Sequence, residues 1–361
     1  MKRLTRKAEE ALLGAAVLRP EELTQLRWIP AGAFSRPDHA ALWQTLHAVD
    51  WSTVEPSQIT QTLTQAVDQI EEQGIRQMLS PVRLSQLVDV CPSPGSAPLY
   101  GGMTLEAAIH RSVEHSGEQL RRTARQTEVD QAQKALEQAA KTGQRFESLD
   151  AAWKAAPEMV RTLLDTQPAQ AIAPVPRTER ARTDLQAEVD TVASLLHQPG
   201  QLAEVKGWLQ KADFTHPQLS AAYQAMRTLD ERHAPIDPLT VAWEAQRHPG
   251  AQPSEQVLGE LEQTGMSGGA ASWAGERVLY TSALDRLDAA GHEIRNLGRH
   301  PSLAPGALVG HAEQSLRPVH ADHERLQHAA REPELASDKE PAPGRSRRTP
   351  ELAATDHEME I

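Results

Sequence analysis

The sequence is poor in the residues that build sheets, disulfide bonds and membrane spans. Aromatic residues make up 4% of its 361 residues, with three Phe and three Tyr. Because aromatic and β-branched residues suit pleated sheets, whereas Ala, Leu, Gln and Glu favour helices, the composition predicts an all-α protein. Its single cysteine, Cys91, excludes an internal disulfide bond and is typical of the cytoplasm. No apolar run approaches the roughly 20 residues that cross a bilayer, so we expect no membrane contact.

Several catalytic and ligand-binding motifs are also missing. No Gly is followed by Lys, which excludes a phosphate-binding loop of the Walker type, and neither a Rossmann glycine pattern nor a His-Glu-x-x-His zinc helix occurs. The net charge of −12 disfavours general binding to a phosphate backbone. The sequence therefore predicts a protein that is not an enzyme, with no catalytic residue, cofactor or metal.

What the chain does contain is the same pattern twice. Residues 9–50 align with residues 188–230 at an offset of 179, which becomes 180 after the extra Gly207. The aligned signature pairs Trp28 with Trp208, Phe34 with Phe214, Pro37 with Pro217, and Trp43 with Tyr223. A spacing this long indicates two tandem domains rather than a solenoid. We expect Trp28 and Trp208 to pack in the cores, and not to serve as stacking platforms for bases.

The repeat and the composition together predict four segments. Each domain is expected to be a small helical bundle followed by a long helix or helical hairpin, and in the first domain the long helix spans Thr104 to Ala140. Ser35 and Thr215 are predicted to cap the helices that follow them. The predicted boundaries are 1–164 for the first domain, 165–183 for a linker rich in Pro and Ala, 184–319 for the second domain, and 320–361 for a disordered polar tail.

Three local patterns admit a chemical interpretation. Residues 265–269 fit the Gly-x-Ser-x-Gly motif of hydrolases, but the segment before Ser267 is predicted to be helical, whereas that motif requires a strand. His320, His323 and His328 lie in the predicted polar tail, where no preformed pocket would hold a metal.

Arginines on the long helix are the basis of an alternative hypothesis, direct nucleic-acid binding. Arg111, Arg121, Arg122 and Arg125 stand among Glu114, Glu118 and Glu128, a pattern more typical of a solvated helix face with local ion pairs. We assign this helix as the candidate interaction surface, through Leu105, Ile109, Val113, Arg121, Arg122 and Arg125.

Both units resemble the N-terminal domain of DnaB-type replicative DNA helicases. In the second unit the resemblance runs from Val189 through Phe214-Thr215-His216-Pro217 to Ala234-Pro235-Ile236-Asp237-Pro238-Leu239-Thr240. In the first unit it includes Glu10-Ala11-Leu12-Leu13-Gly14, Phe34-Ser35-Arg36-Pro37 and Leu84-Ser85-Gln86-Leu87. The resemblance implies a small helical bundle and a helical hairpin, a domain that pairs with its neighbours, forms the collar of a hexameric ring and helps to engage primase.

The RecA-like motor that follows this domain in those helicases has no counterpart here, so the resemblance implies neither ATP hydrolysis nor unwinding. We therefore expect a self-associating scaffold of DNA replication, three chains of which would supply six collar-like domains. Docking on a replicative helicase or primase is the expected role. Contact with nucleic acid is expected to be weak or indirect.

Overall fold

The computed structural model describes residues 2–70, 72–165, 183–247, 250–265 and 270–337. Within these segments every regular element is an α-helix or a short 3-10 turn, and no strand occurs. The predicted all-α fold is therefore confirmed.

The first half of the chain contains a bundle of short helices and then a long hairpin. Its α-helices are α1 (Lys2–Leu18), α2 (Pro37–Ala48), α3 (Ile59–Asp68), α4 (Gln73–Met78), α5 (Pro81–Asp89), α6 (Ala97–Gln126), α7 (Ala132–Lys154) and α8 (Glu158–Leu164).

The second half repeats this arrangement of short helices followed by a hairpin. Its α-helices are α9 (Leu185–His197), α10 (Leu202–Val205), α11 (Pro217–Glu231), α12 (Pro238–Ala245), α13 (Glu255–Gly265), α14 (Ala271–Gly298) and α15 (Pro305–Ser337).

An aromatic pair marks the corresponding position in each bundle. The rings of Phe34 and Trp43 lie 5.3 Å apart, and those of Phe214 and Tyr223 lie 5.0 Å apart. The aromatic side chain on α2 or α11 also donates a 3.0 Å hydrogen bond to a backbone carbonyl fourteen positions earlier: the Trp43 indole to Ile29, and the Tyr223 hydroxyl to Leu209. A buried polar group needs such a partner, so these bonds fix the connecting segment against the helix.

The predicted caps at Ser35 and Thr215 are wrong. Neither α2 nor α11 has a side-chain cap; instead, a buried glutamate from the first helix of each bundle reaches this turn. Glu9 accepts the backbone N–H of Ser35 at 2.7 Å, and Glu188 accepts the backbone N–H of Thr215 at 2.7 Å. A carboxylate near a helix N-terminus is favoured because the unsatisfied amides there carry partial positive charge.

Glu9 has a second partner, the ring of His39, whose Nδ1 lies 2.8 Å from its carboxylate. Both side chains are fully buried. Burial alone raises the pKa of the Glu9 carboxyl, but the hydrogen bonds from His39 and Ser35 outweigh it and hold the pKa below its ordinary value of 4.5.

The predicted continuous helix from Thr104 to Ala140 is also wrong. The helix α6 ends at Gln126, Thr127 is extended, and α7 starts at Ala132. The reversal buries Leu136 and Phe146, which a straight helix would carry away from the rest of the chain. This is the hairpin that the family resemblance implies.

The four long helices of the two hairpins form one bundle. The helix α6 packs along α14, α7 packs along α15, and each hairpin also packs internally. Buried residues of both halves belong to a single hydrophobic core. The two halves therefore share their interior and do not form separate cores.

The disordered tail was predicted to begin at residue 320, which is too early in the sequence. The helix α15 continues to Ser337, because Leu326 and Ala329 are buried and Arg325 reaches into the second bundle. Residues 338–361 of the predicted tail and residues 166–182 of the predicted linker lie outside the described residues.

Replacing either buried glutamate by glutamine tests its role at the helix entrance. Glu9→Gln and Glu188→Gln keep the shape but remove the charge, so we expect each to lower the free energy of unfolding by about 1–3 kcal/mol. Urea denaturation measures the change. The control, Glu22→Gln, alters a partly exposed ion pair with Arg19 and should stay within about 0.5 kcal/mol of wild type. An unchanged midpoint for both core variants would contradict the assignment.

Candidate interaction site

The two halves approach each other closely where α6 crosses α14. At this point both helices carry glycine. A Cβ atom added to Gly117 would lie 2.7 Å from the carbonyl oxygen of Gly291, and one added to Gly291 would lie 2.8 Å from the carbonyl oxygen of Gly117. Because no real Cβ tolerates such distances, the two backbones approach this closely only where both residues lack a side chain.

Ion pairs on either side of the glycines are reciprocal. Arg125 of α6 donates to Asp288 of α14 at 2.9 Å, and Arg299 after α14 donates to Glu114 of α6 at 2.6 Å. From the first pair to the second, the residue number on α6 decreases while that on the other helix increases, so the two helices run antiparallel. The exposed Arg299 pair contributes little stability by itself, whereas Asp288 is nearly fully buried and has Arg125 and Arg121 within 4 Å.

A buried histidine joins α6 to the end of α14. The ring nitrogens of His110 lie 3.1 Å from the carbonyl oxygens of Gly298 and Leu303. The two contacts tie the middle of α6 to the last turn of α14 and to the segment that follows it.

A buried charge network fastens the second hairpin to the second bundle. Asp213 lies in the turn before α11 and receives Arg286 of α14 at 2.6 Å and Arg325 of α15 at 2.8 Å. Both arginines also pair with Asp322. Two carboxylates and two guanidinium groups thus balance each other. Burial would raise the pKa of Asp213, but Arg325 and Arg286 lower it below its ordinary value of 3.8.

The first hairpin contacts its own bundle at the corresponding turn with a single arginine. Arg111 of α6 donates to the carbonyl oxygen of Ala33 at 2.8 Å. Burial lowers the pKa of this guanidinium, although Glu9 acts in the opposite direction. The second half is therefore tied to its hairpin by more charges than the first.

The predicted signature residues separate into two groups. The buried group consists of Phe34, Trp43, Trp208, Phe214 and Tyr223. Trp28 is half-buried, and the prolines are exposed at the starts of α2 and α11, so Pro37 and Pro217 mark the repeat without belonging to its core.

The predicted interaction helix packs inside the chain. Its apolar members, Leu105, Ile109 and Val113, are fully buried, so they do not offer a surface to another molecule. Arg121 and Arg125 both lie near Asp288, and Arg122 is exposed. The helix α6 packs mainly against α14 of the second half, a partner that was not predicted from the sequence.

Two other sequence patterns had a chemical interpretation, the Gly-x-Ser-x-Gly motif and the histidines of the predicted tail, and the described residues show no functional site at either. The helix α13 ends at Gly265, and residues 266–269, which include Ser267, lie outside the described residues. His320, His323 and His328 are on α15, with His323 beside Gln327. Among residues placed in the structure, no group of side chains has the arrangement of a metal site.

Comparison with known proteins now identifies the kind of domain. A family model described as the DnaB-like helicase N terminal domain matches residues 180–271. The predicted resemblance is thereby confirmed for these residues of the second half, which are similar to a domain of DNA-replication helicases. No curated protein and no solved structure matches the chain. The match lies in one half alone, so the tandem duplication stays a prediction. None of the helices described here is both long and apolar enough to span a membrane.

The glycine crossing was not predicted from the sequence, although the sequence contains a repeat that indicates it. The long helices carry Gly117 and Gly291, then Arg121 and Arg295, then Arg125 and Arg299, all 174 residues apart. This offset differs from that of the small bundles, because the connecting segments differ in length. The 174-residue repeat is visible only when the two long helices are aligned separately from the small bundles.

Gly117→Ala tests the close approach of α6 and α14. The new methyl group must push the two backbones apart, so we expect the free energy of unfolding to fall by about 1–3 kcal/mol. The matched control is Gly310→Ala on α15, where nothing lies within 4 Å of the added carbon. That change should stabilise the helix by about 0.5–1 kcal/mol. Equal effects of the two substitutions, measured by thermal denaturation, would refute the crossing.

The charge network predicts a pH dependence. A carboxyl whose pKa is lowered by folding contributes full stability above its ordinary value, and that stability is lost as pH falls through the folded-state pKa. Asp213→Asn should therefore cost about 3 kcal/mol at pH 7 and flatten the loss of stability below about pH 4. The exposed Asp89→Asn serves as control and should change neither. An acid-unfolding curve for Asp213→Asn as steep as that of wild type would exclude the network as its source.

Proposed function

We propose that this chain is a non-catalytic scaffold of DNA replication that self-associates and docks on a replicative helicase or primase. The observation that carries the proposal is the match of residues 180–271 to a helicase N-terminal domain. The helix that follows these residues, α14, is crossed through reciprocal contacts by the long helix of the other half. On this proposal one chain supplies a pair of collar-like domains, and three chains supply six. The proposed setting is the cytoplasm.

The absence of a phosphate-binding loop from the sequence supports a role without ATP hydrolysis. The arginines of α6 favour protein docking over nucleic-acid binding. Arg111, Arg121 and Arg125 are directed at a carbonyl or a carboxylate of the chain itself, so they are engaged before any phosphate arrives. The net charge of −12 acts in the same direction.

A pull-down tests the docking part of the proposal. The full-length chain, immobilised, should retain purified replicative helicase or primase from the same source, and soluble chain should compete for the retained protein. An unrelated acidic helical protein on the same resin is the control for charge. Retention of neither partner at tens of micromolar would contradict docking.

A further inference from the structure

An open apolar groove lies at the end of the bundle formed by the first half. The start of α1, the start of α6 and the end of α8 enclose about 450 Å³. Its apolar wall includes Leu4, Met103 and Leu163, whose exposed fractions are 68%, 39% and 52%. These side chains share the lining with Leu99 and Leu164. We call this surface the Met103 groove.

The second half presents an apolar projection instead of a groove. At the start of α14, Trp273 is 60% exposed, and at the start of α9, Leu185 is 51% exposed. The 174-residue spacing of the long helices matches Trp273 with Leu99, which lines the groove. The guanidinium of Arg277 lies 5.5 Å from the Trp273 ring and holds it in place. We call this surface the Trp273 knob.

The antiparallel crossing puts the two surfaces at opposite ends of the long-helix pair. The groove includes the first turns of α6, and the knob includes the first turns of α14. A surface at each end allows each chain to contact two neighbours, one through its groove and one through its knob.

Charges around the two surfaces are complementary. Arg3 and Lys7, which lie one helical turn apart on α1, are exposed beside the groove. The surroundings of the knob are acidic, because one basic residue, Arg277, stands among three acidic residues, Asp130, Asp184 and Glu276. Asp130 is 81% exposed and lies 3.9 Å from Arg277, at the outer edge of the knob, where a basic rim would meet it.

The floor of the groove carries a charge that the knob can balance. Burial and the nearby Asp165 carboxylate raise the pKa of Glu106. A cation brought against this carboxyl would relieve both effects. Arg277 lies beside Trp273 and pairs with Asp184 at 2.9 Å, so an inserted knob would bring this guanidinium to Glu106 in exchange for that partner.

We propose that the Trp273 knob of one chain inserts into the Met103 groove of a second copy of this chain. The contact is head-to-tail, so it closes into a ring or extends into a filament, depending on the rotation between neighbours. It deepens the self-association that belongs to the proposed function and rests on it. A Trp side chain filling an apolar groove is the kind of anchor that dominates protein interfaces.

Two variants, each of which disrupts one of the two surfaces, test the head-to-tail contact. Met103→Asp removes the groove, and Trp273→Asp removes the knob. Each variant alone should fall to the mass of one chain in light scattering, where wild type forms larger species. When the two are mixed, the intact knob of the first meets the intact groove of the second, and only a heterodimer forms.

Trp243→Asp is the matched control, because Trp243 is 63% exposed on α12 and belongs to neither surface. It should assemble as wild type does. Leu163→Glu is a second groove variant and should behave as Met103→Asp, and circular dichroism confirms that each variant keeps its helices. Lys7→Glu should weaken assembly and reduce its salt sensitivity.

The outcomes separate this proposal from the one on which it rests. Wild type that assembles while neither variant weakens it would overturn the knob-and-groove contact and leave self-association intact. A mixture that stays at the mass of one chain would exclude a head-to-tail contact. Loss of helicase or primase retention by Met103→Asp, without loss of assembly, would assign the groove to that partner and overturn the proposal. Monomeric wild type at tens of micromolar would contradict self-association altogether, whatever the pull-down gives.

Discussion

The close approach of α6 and α14 is the constraint on which the rest of the structure depends. A Cβ atom on either helix at this point would lie within 3 Å of the other helix's backbone, so the helices approach this closely only because Gly117 and Gly291 have no side chain. Once this crossing forms, the hairpin partners α7 and α15 are brought together and the four-helix core closes. The small bundles then lie at the two ends of the crossing as two parts of one molecule.

The crossing also decides which surfaces remain for other molecules. Leu105, Ile109 and Val113 pack against the chain itself, so the apolar face of α6 is buried within the molecule. The large apolar side chains left exposed lie elsewhere, among them Met103 at one end of the pair and Trp273 at the other. The Asp213 network holds the second bundle to its hairpin, which keeps the Trp273 end in a fixed relation to the rest of the chain.

Local patterns predicted the elements better than the contacts between them. Composition and spacing were sufficient for the all-α fold, and Phe34, Trp43, Phe214 and Tyr223 are in the predicted cores. The helix reversal at Thr127 was missed because no proline or glycine marks it, and burial of Phe146 drives it. The continuation of α15 was missed because its apolar residues are sparse among charged ones. Contacts such as Glu9 with Ser35 or Gly117 with Gly291 join distant positions, which helical spacing along one segment does not report.

The central claim is that the two halves close on each other within one chain. Cysteines at Glu114 and Arg299, whose side chains meet across the crossing, test it in a Cys91→Ser background with a short bis-maleimide. The account predicts cross-linking within single chains at high dilution. Glu114→Cys with Arg277→Cys, roughly 33 Å further along α14 by helical rise, should not react in this way. Links formed only between chains, or equal reaction of both pairs, would contradict the account.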